Sequence, residues 1–86
     1  MVLIKLLTSP KCPMCPKAKE VVRRLKEIEK DVKVLELSVA TDKGFKEAVK
    51  FGIRVVPAII INDRYVIIGV PSLDELREVV ERFRGT

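Results

Sequence analysis

Apolar and polar positions divide the first half of the chain into strand-like and helix-like segments. Residues 2–7 form a short, nearly continuous apolar run, which is typical of a strand buried on both faces. From Ala18 to Ile28 the apolar residues recur at helical spacing, which predicts a first helix ending near Lys30. Residues 32–39 are rich in branched side chains and predict a second strand. The first half therefore predicts the order β-α-β.

The next segment predicts a short helix. Thr41 or Asp42 can cap a helix over residues 43–51, and Gly52 follows where a left-handed residue would end it. The side chains of this helix that we expect to face the core are Phe45, Ala48 and Val49. The helix therefore connects the second strand to a third.

A hairpin and a last helix complete the pattern. The apolar runs 58–61 and 65–68 flank the turn residues 62–64, which predicts two antiparallel strands. Ser72 and Glu75 match a capping box, and the apolar residues that follow recur at helical spacing. This pattern predicts a hairpin followed by a C-terminal helix.

The complete order, β-α-β-α-β-β-α, predicts an α/β protein. No Pro/Gly/Ser-rich linker, repeat or low-complexity tract divides the sequence, so we expect a single domain over residues 1–86. Strands joined through a helix are parallel, whereas the two strands of a hairpin are antiparallel. The sheet is therefore expected to be mixed.

The composition excludes several kinds of active site. The 86 residues include no His, which excludes imidazole bases, Ser-His-Asp and Cys-His arrangements, and zinc sites that use His. Two Cys residues are too few for a four-cysteine zinc or iron-sulfur site in one chain. The net charge of +5 comes from 17 basic and 12 acidic residues, interleaved along the helices, which is more typical of a solvated surface than of a nucleic-acid patch. The remaining chemistry is mainly that of thiols, and no nucleic-acid partner is expected.

The apolar segments and the cysteine pair also indicate where in the cell the protein is found. The apolar start of the chain is interrupted by Lys5 and is too short for a signal-peptide core, and no stretch approaches the roughly 20 apolar residues of a membrane span. A single close pair of cysteines suits a reducing compartment, because secreted domains usually carry several widely spaced pairs. We therefore expect a cytoplasmic protein with no membrane partner. Two chains of a dimer could share a zinc ion, but the sequence supplies no symmetric interface for such a site, and we expect a monomer.

The two cysteines lie three positions apart in the segment Cys12-Pro13-Met14-Cys15. If Pro13 occupies the first helical position, Cys12 is the N-cap, where free N–H groups and the helix dipole stabilise its thiolate. Lys11 adds positive charge beside it. Cys15 continues the buried stripe of the first helix, whereas Cys12 lies at the exposed tip. The sequence therefore predicts that Cys12 attacks a disulfide and that Cys15 resolves the product.

Other interpretations of this cysteine pair remain open. The two residues could be small buried hydrophobes, soft ligands of a metal-binding or metallochaperone module, or a redox sensor that alters a partner surface. The Met-x-Cys-x-x-Cys loop of copper chaperones would need Met where Pro10 stands, and their order of elements is β-α-β-β-α-β. Pro16 removes an N–H from the helix, so we expect a tightened or irregular first turn.

Three short motifs occur in order along the chain. They are Thr8-Ser9-Pro10-Lys11-Cys12-Pro13-Met14-Cys15, Val55-Val56-Pro57 and Gly69-Val70-Pro71. In this order they resemble the thioredoxin superfamily, specifically the small archaeal-type thioredoxins that are glutaredoxin-like in size, over nearly the whole chain. The resemblance implies a thioredoxin fold, with a four-stranded mixed β-sheet flanked by helices and the third strand antiparallel to the central first strand.

The resemblance also implies where a substrate binds. Pro57 would be cis and would lie against the cysteine loop, leaving the backbone of Val56 free to pair with an extended substrate. Gly69 would let the substrate backbone approach, although it suits a turn at a strand end equally well. The substrate-contacting residues implied in this way are Pro13, Met14, Val56, Pro57 and Gly69.

The activity implied by the resemblance is that of a dithiol-disulfide oxidoreductase. Cys12 and Cys15 would reduce disulfide-containing protein substrates without a bound cofactor, and a flavin-dependent thioredoxin reductase, with glutathione as a lesser alternative, would restore the dithiol. Larger thioredoxins have an acid where Leu6 stands and a Trp where Lys11 stands, and glutaredoxins have a Tyr at Met14. The proton of Cys15 would therefore pass to water, to the Cys12 thiolate or to the leaving thiol.

Overall fold

The computed structural model describes residues 1–84. Its elements follow the predicted order and are β1 (Val2–Thr8), α1 (Cys15–Ile28), β2 (Val32–Ser38), α2 (Asp42–Lys50), β3 (Ala58–Ile61), β4 (Tyr65–Ile68) and α3 (Leu73–Arg84). Strand and helix boundaries therefore agree with the sequence pattern to within a few residues, with the start of α1 discussed below.

The four strands form one mixed sheet in the order β2-β1-β3-β4. β1 runs parallel to β2 and antiparallel to β3, and β3 runs antiparallel to β4. The parallel pair is unbroken from Val2 opposite Val32 to Thr8 opposite Ser38. The mixed sheet and the antiparallel third strand beside a central first strand are both confirmed.

Alternation along the strands gives the sheet two different faces. Side chains of β1 such as Ile4 and Leu6 pack with α1 and α3 in the larger core cluster. Leu7 points to the opposite face and packs with Ala48 of α2 and with Ile60 of β3. Two helices therefore cover one face of the sheet, whereas α2 is the only helix of the described residues on the other.

The predicted helix caps of the second half of the chain are confirmed. Thr41 is the N-cap of α2, and its side chain accepts the Gly44 N–H at 3.2 Å. Gly52 has the expected left-handed conformation, with φ of 66°. Before α3, the Ser72 hydroxyl accepts the Glu75 N–H at 3.1 Å and the Ser72 N–H donates to the Glu75 carboxylate at 3.3 Å. The helices α2 and α3 therefore begin at the positions that their capping residues predict.

The inward face of α2 differs from the prediction. Phe45 and Val49 are 60% and 64% exposed, whereas Gly44 and Ala48 are buried. The helix lies so close to the end of β2 that a Cβ on Gly44 would stand 1.8 Å from the Ser38 carbonyl oxygen. Not even a methyl group fits in that contact, so Gly44 faces β2 and the helix turns its bulky apolar residues outward. The expectation that Phe45 and Val49 face the core was therefore wrong.

Candidate functional site

The two cysteines lie where the chain passes from the central strand β1 into α1. Cys12 is in the connecting loop, and its N–H donates to the Ser9 carbonyl oxygen at 3.2 Å. Cys15 is the first residue of α1, and its N–H donates to the Cys12 carbonyl oxygen at 3.4 Å. A central strand and a 14-residue helix therefore hold the segment from both ends.

The helix begins two residues later than a start at Pro13 requires. Met14, with φ of −93° and ψ of −11°, is the N-cap, so Cys12 is not in the capping position. The cause is Pro16, which has no N–H and fits best at the second helical position, where that group needs no partner inside the helix. The bond from the Cys15 N–H to the Cys12 carbonyl oxygen spans three residues, which is the tightened turn expected from Pro16.

The two sulfurs differ in accessibility although they are joined as a disulfide. The Cα atoms of Cys12 and Cys15 are 5.4 Å apart. Cys15 is 2% exposed and continues the buried line of Ala18 and Val22 along α1. Cys12 is half-buried in the loop. Cys12 is therefore the more accessible residue of the pair.

The topology brings the other two motifs to the same edge of the sheet. Ala58, which begins β3, lies opposite Leu7 near the end of β1. The preceding Val56–Pro57 peptide bond is cis. Gly69, which follows β4 and has φ of 91°, donates its N–H to the Pro57 carbonyl oxygen at 2.8 Å. The cysteine loop, the Pro57 segment and Gly69 are thus neighbours on one rim, as the resemblance implied.

The remaining residues singled out from the sequence lie on the surface of this rim. Lys11, Pro13 and Met14 are exposed, and Val56 is half-buried beside a buried Pro57. Lys11 donates its backbone N–H to the Ser9 hydroxyl at 3.4 Å.

The core beneath the cysteines is apolar. Leu6, the position of the acid in larger thioredoxins, is 1% exposed and packs in the same cluster as Ala18 and Val22. Within residues 1–84 the only buried polar or charged residue is Thr8. No buried carboxylate of the described residues can therefore accept the proton of Cys15.

Ile68 is an apolar residue of the rim that the sequence pattern did not single out. It is exposed, directly precedes Gly69 and lines a groove with Val55 and Val66. In a run as uniformly apolar as β4, an exposed residue cannot be told from a buried one by its type. The signal that could have found it is its place next to a glycine motif.

The described residues bear on the metal-binding interpretation in two ways. Among residues 1–84 no group of three His, Cys, Asp or Glu side chains could hold a metal ion. The order of elements also differs from the copper-chaperone order given above. In the same part of the chain, no helix has the length and hydropathy needed to span a bilayer.

Comparison with known proteins agrees with the geometry. A family model described as a thioredoxin domain matches residues 2–81. A probable thioredoxin from Archaeoglobus fulgidus is 53% identical over 85 residues, covering 99% of this chain and 92% of that protein. A thioredoxin from Methanocaldococcus jannaschii is 38% identical over 82 residues, covering 94% of each chain.

Solved structures give the same answer for the fold. A chloroplastic thioredoxin z superposes with a TM-score of 0.82 at 18% identity, covering 100% of this chain and 80% of that one. A thioredoxin-like protein from Clostridium perfringens superposes with a TM-score of 0.83 at 15% identity, covering 95% of this chain and 70% of that one. From the family model, the relatives and the shared fold together, we conclude that this chain belongs to the thioredoxin family.

Proposed function

We propose that this protein reduces disulfides in other proteins through the segment Cys12-Pro13-Met14-Cys15, as a thioredoxin-type dithiol-disulfide oxidoreductase. The observation that carries the proposal is the asymmetry of the pair: the two sulfurs are within bonding reach, one is buried at the start of a helix, and the other is accessible in the loop before it. Membership of the thioredoxin family supports the same class of reaction.

The reaction begins with the reduced protein. The Cys12 thiolate attacks one sulfur of the substrate disulfide, so a mixed disulfide forms and the other substrate sulfur leaves as a thiolate. The Cys15 thiol then loses its proton and attacks the Cys12 sulfur. The Cys12–Cys15 disulfide forms and the second substrate sulfur leaves. The substrate gains two electrons, one proton from Cys15 and one proton from solvent, which took up the Cys12 proton when the thiolate formed, and the protein becomes the disulfide seen in the structure.

Two features favour a Cys12 thiolate although Cys12 is not the N-cap. The N-terminal end of α1 is only three residues away, and its partial positive charge favours an anion nearby. Lys11 and Lys17 add full positive charges on either side of the pair. A thiolate with a pKa near ambient pH is both a good nucleophile and a good leaving group.

Proton transfer from Cys15 takes a different route from that in larger thioredoxins. Leu6 occupies the position of their buried acid and cannot accept a proton. The thiolate released by the substrate is the nearest base produced by the reaction itself, and it needs a proton to become the product thiol. We propose that it takes the Cys15 proton directly or through water.

The substrate binds along the rim in this proposal. Val56 offers backbone groups to an extended segment, and Gly69 has no side chain to obstruct it. Pro13 and Met14 form the surface of the cysteine loop that the substrate meets, beside the buried Pro57. The exposed apolar side chain of Met14 gives this surface a flexible contact that suits varied substrates.

A partner must return the protein to the dithiol state after each cycle. Sulfur exchange needs no bound cofactor, so the electrons come from a separate reductase, for which the family implies a thioredoxin reductase. We propose that residues 1–86 act as a single, monomeric domain in the cytoplasm, where such a reductase and reducing conditions are found together.

Reduction of insulin disulfides by the wild-type protein and two variants tests the proposal. Cys12→Ser should abolish reduction, because it removes the attacking sulfur. Cys15→Ser should lose turnover but accumulate mixed disulfides, because the resolving sulfur is missing. A Cys12→Ser variant that retains activity, or mixed disulfides on Cys15 in that variant, would refute the assigned roles.

A further inference from the structure

The outer edge of β2 is long and regular. β2 spans seven residues and keeps an unbroken register with β1. Within residues 1–84 no strand pairs with its other side. No proline interrupts it. Such an edge presents free backbone N–H and C=O groups to another extended chain.

The direction of the backbone groups identifies the open part of this edge. The Asp31 carbonyl and the Val39 N–H, which flank β2, both bond to β1. In a parallel pair alternate residues face the partner strand, so the backbone groups of Val34 and Glu36 point outward.

Both ends of the outer edge are already occupied. The Lys26 ammonium donates to the Val32 carbonyl oxygen at 2.9 Å. The Thr41 hydroxyl donates to the Ser38 carbonyl oxygen at 2.7 Å. The open stretch is therefore residues 33–37, which is enough for a short added strand.

A groove lies on the α2 side of the same strand. Its volume is about 380 Å³, and it is lined by Lys5, Leu35, Leu37, Lys43, Lys46 and Glu47. Leu35, in the middle of the open stretch, is 38% exposed. The groove therefore has an apolar floor next to unpaired backbone groups.

The charge around the groove is positive. Lys5 is ion-paired with Glu47, and it also contacts Asp63 at 2.8 Å, so the one carboxylate of the groove is already neutralised. Lys43 and Lys46 are exposed and form no ion pair within residues 1–84.

Lys33 extends this positive surface along the strand. It lies on the same face of β2 as Leu35, is exposed and also has no ion-pair partner among the described residues. Glu36 lies on the opposite face, where it pairs with Lys19 of α1 at 3.2 Å. The α2 side of the edge therefore carries unpaired positive charge, which is complementary to the charge of carboxylates.

We propose that residues 33–37 and the groove beside them form a docking surface for an extended acidic segment of a partner protein, which joins the sheet as a fifth strand. The segment pairs its backbone with Val34 and Glu36, places an apolar side chain on Leu35, and directs carboxylates toward the three unpaired lysines. A second copy of this chain is a poor occupant, because each copy carries a net charge of +5 and the same lysines. The surface requires neither cysteine and goes beyond the proposed reductase activity.

A peptide titration followed by NMR tests the proposal on the full oxidised chain. The probe is the acetylated, amidated peptide Thr-Glu-Thr-Val-Thr-Glu-Thr, which presents two carboxylates and one apolar side chain on one face. We expect saturable amide shifts at residues 33–37 and on α2 around Lys43. Replacing both Glu by Gln, or methylating the central peptide nitrogens, should weaken binding about fivefold or more, because each change removes one of the two kinds of contact.

Matched charge reversals supply the control. Lys43→Glu combined with Lys46→Glu should weaken binding of the peptide about fivefold or more, since two surface ion pairs are lost. Lys30→Glu combined with Arg64→Glu changes the net charge equally at exposed positions that do not line the groove and should stay within about twofold.

Four outcomes of the peptide experiments would overturn the proposal. They are no saturable shift at the highest soluble peptide concentration, shifts centred on the cysteine loop, equal weakening by both double variants, and dimerisation through β2 in place of peptide binding. Binding of the protein to anionic vesicles that is lost with Lys43→Glu and Lys46→Glu, without peptide binding, would assign the surface to a membrane and would also overturn it.

Discussion

Single residues around the cysteines determine how reactive each sulfur is. Cys15 is 2% exposed, and burial disfavours its thiolate. Cys12 lies in a loop between the positive end of α1 and the exposed Lys11. The surroundings therefore favour ionisation of the accessible sulfur over the buried one, which is what ordered disulfide exchange requires.

The charge of Lys11 should measurably lower the pKa of the Cys12 thiol. We expect Lys11→Glu to raise that pKa at low salt, because reversing a nearby exposed charge makes the potential at the sulfur more negative. Lys30→Glu, which changes the same charge far along the chain, should leave it unchanged. The measurement is the pH dependence of alkylation of reduced protein, and equal shifts in both variants would argue against a local effect.

Gly44 is a residue whose importance lies in its missing side chain. A Cβ there would overlap the Ser38 carbonyl oxygen, so Gly44→Ala should lower the free energy of unfolding by about 2 kcal/mol despite the better helix propensity of Ala. Gly52→Ala is the control, because no atom lies within 4 Å of its Cβ and only its left-handed backbone opposes the change. Urea unfolding of the two variants should give the larger loss for Gly44→Ala, and the reverse order would contradict the close packing of α2.

At the scale of elements, Lys5 connects its own strand, β1, to α2 and to the β3–β4 turn. Its ammonium bonds to Asp63 in the β3–β4 turn and to Glu47 of α2, and these hydrogen bonds raise the pKa of Lys5 above its ordinary value of 10.5. Its stem lies on the face of β1 that α2 covers. One half-buried cation thus holds α2 and the hairpin turn to the central strand.

Because of this network, part of the free energy of unfolding is lost at alkaline pH. A group whose pKa is raised on folding contributes stability that is complete below its unfolded pKa and is lost as the pH rises through its folded pKa. The difference in free energy of unfolding between wild type and Lys5→Met should therefore be constant between neutral pH and pH 9 and should shrink above pH 10.5. A difference that does not shrink above pH 10.5 would show that the charge of Lys5 contributes nothing to the free energy of unfolding.

The sequence pattern predicted elements better than it predicted their contacts. Each strand and helix could be recognised from its pattern of apolar residues, and Thr41 and Ser72 indicated where α2 and α3 begin. The start of α1 was misjudged, because Pro13 and Pro16 both suit a first turn and Pro16, not Pro13, occupies it. The outward turn of Phe45 depends on the close approach of another strand, which no local pattern contains.

The same limit explains what could be predicted of the site. Cys12 and Cys15 are recognisable because spacing and a helix start are local features. That Pro57 and Gly69 share their edge of the sheet depends on strand order, and periodicity alone did not give the direction of β3. The sequence pattern could not predict the groove beside β2, because the groove exists only where α2 leaves its side of the sheet uncovered.

For the molecule as a whole, the disulfide should matter more to chemistry than to stability. The cysteines are only three positions apart, so closing this loop restrains the unfolded chain little. We expect reduction to lower the free energy of unfolding by less than about 2 kcal/mol. Urea unfolding with and without a reductant checks this, and loss of the folded state on reduction would mean that the bond serves as a structural staple.

The proposed reaction depends on a reactive thiolate at Cys12, and titration of that thiol tests it most directly. In the reduced Cys15→Ser protein only one sulfur ionises, and its pKa can be followed by thiolate absorbance or by the rate of alkylation. We predict a value clearly below the roughly 8.5 of a free cysteine. A value at or above that of free cysteine, together with a wild-type protein that forms no internal disulfide under mild oxidant, would contradict the account.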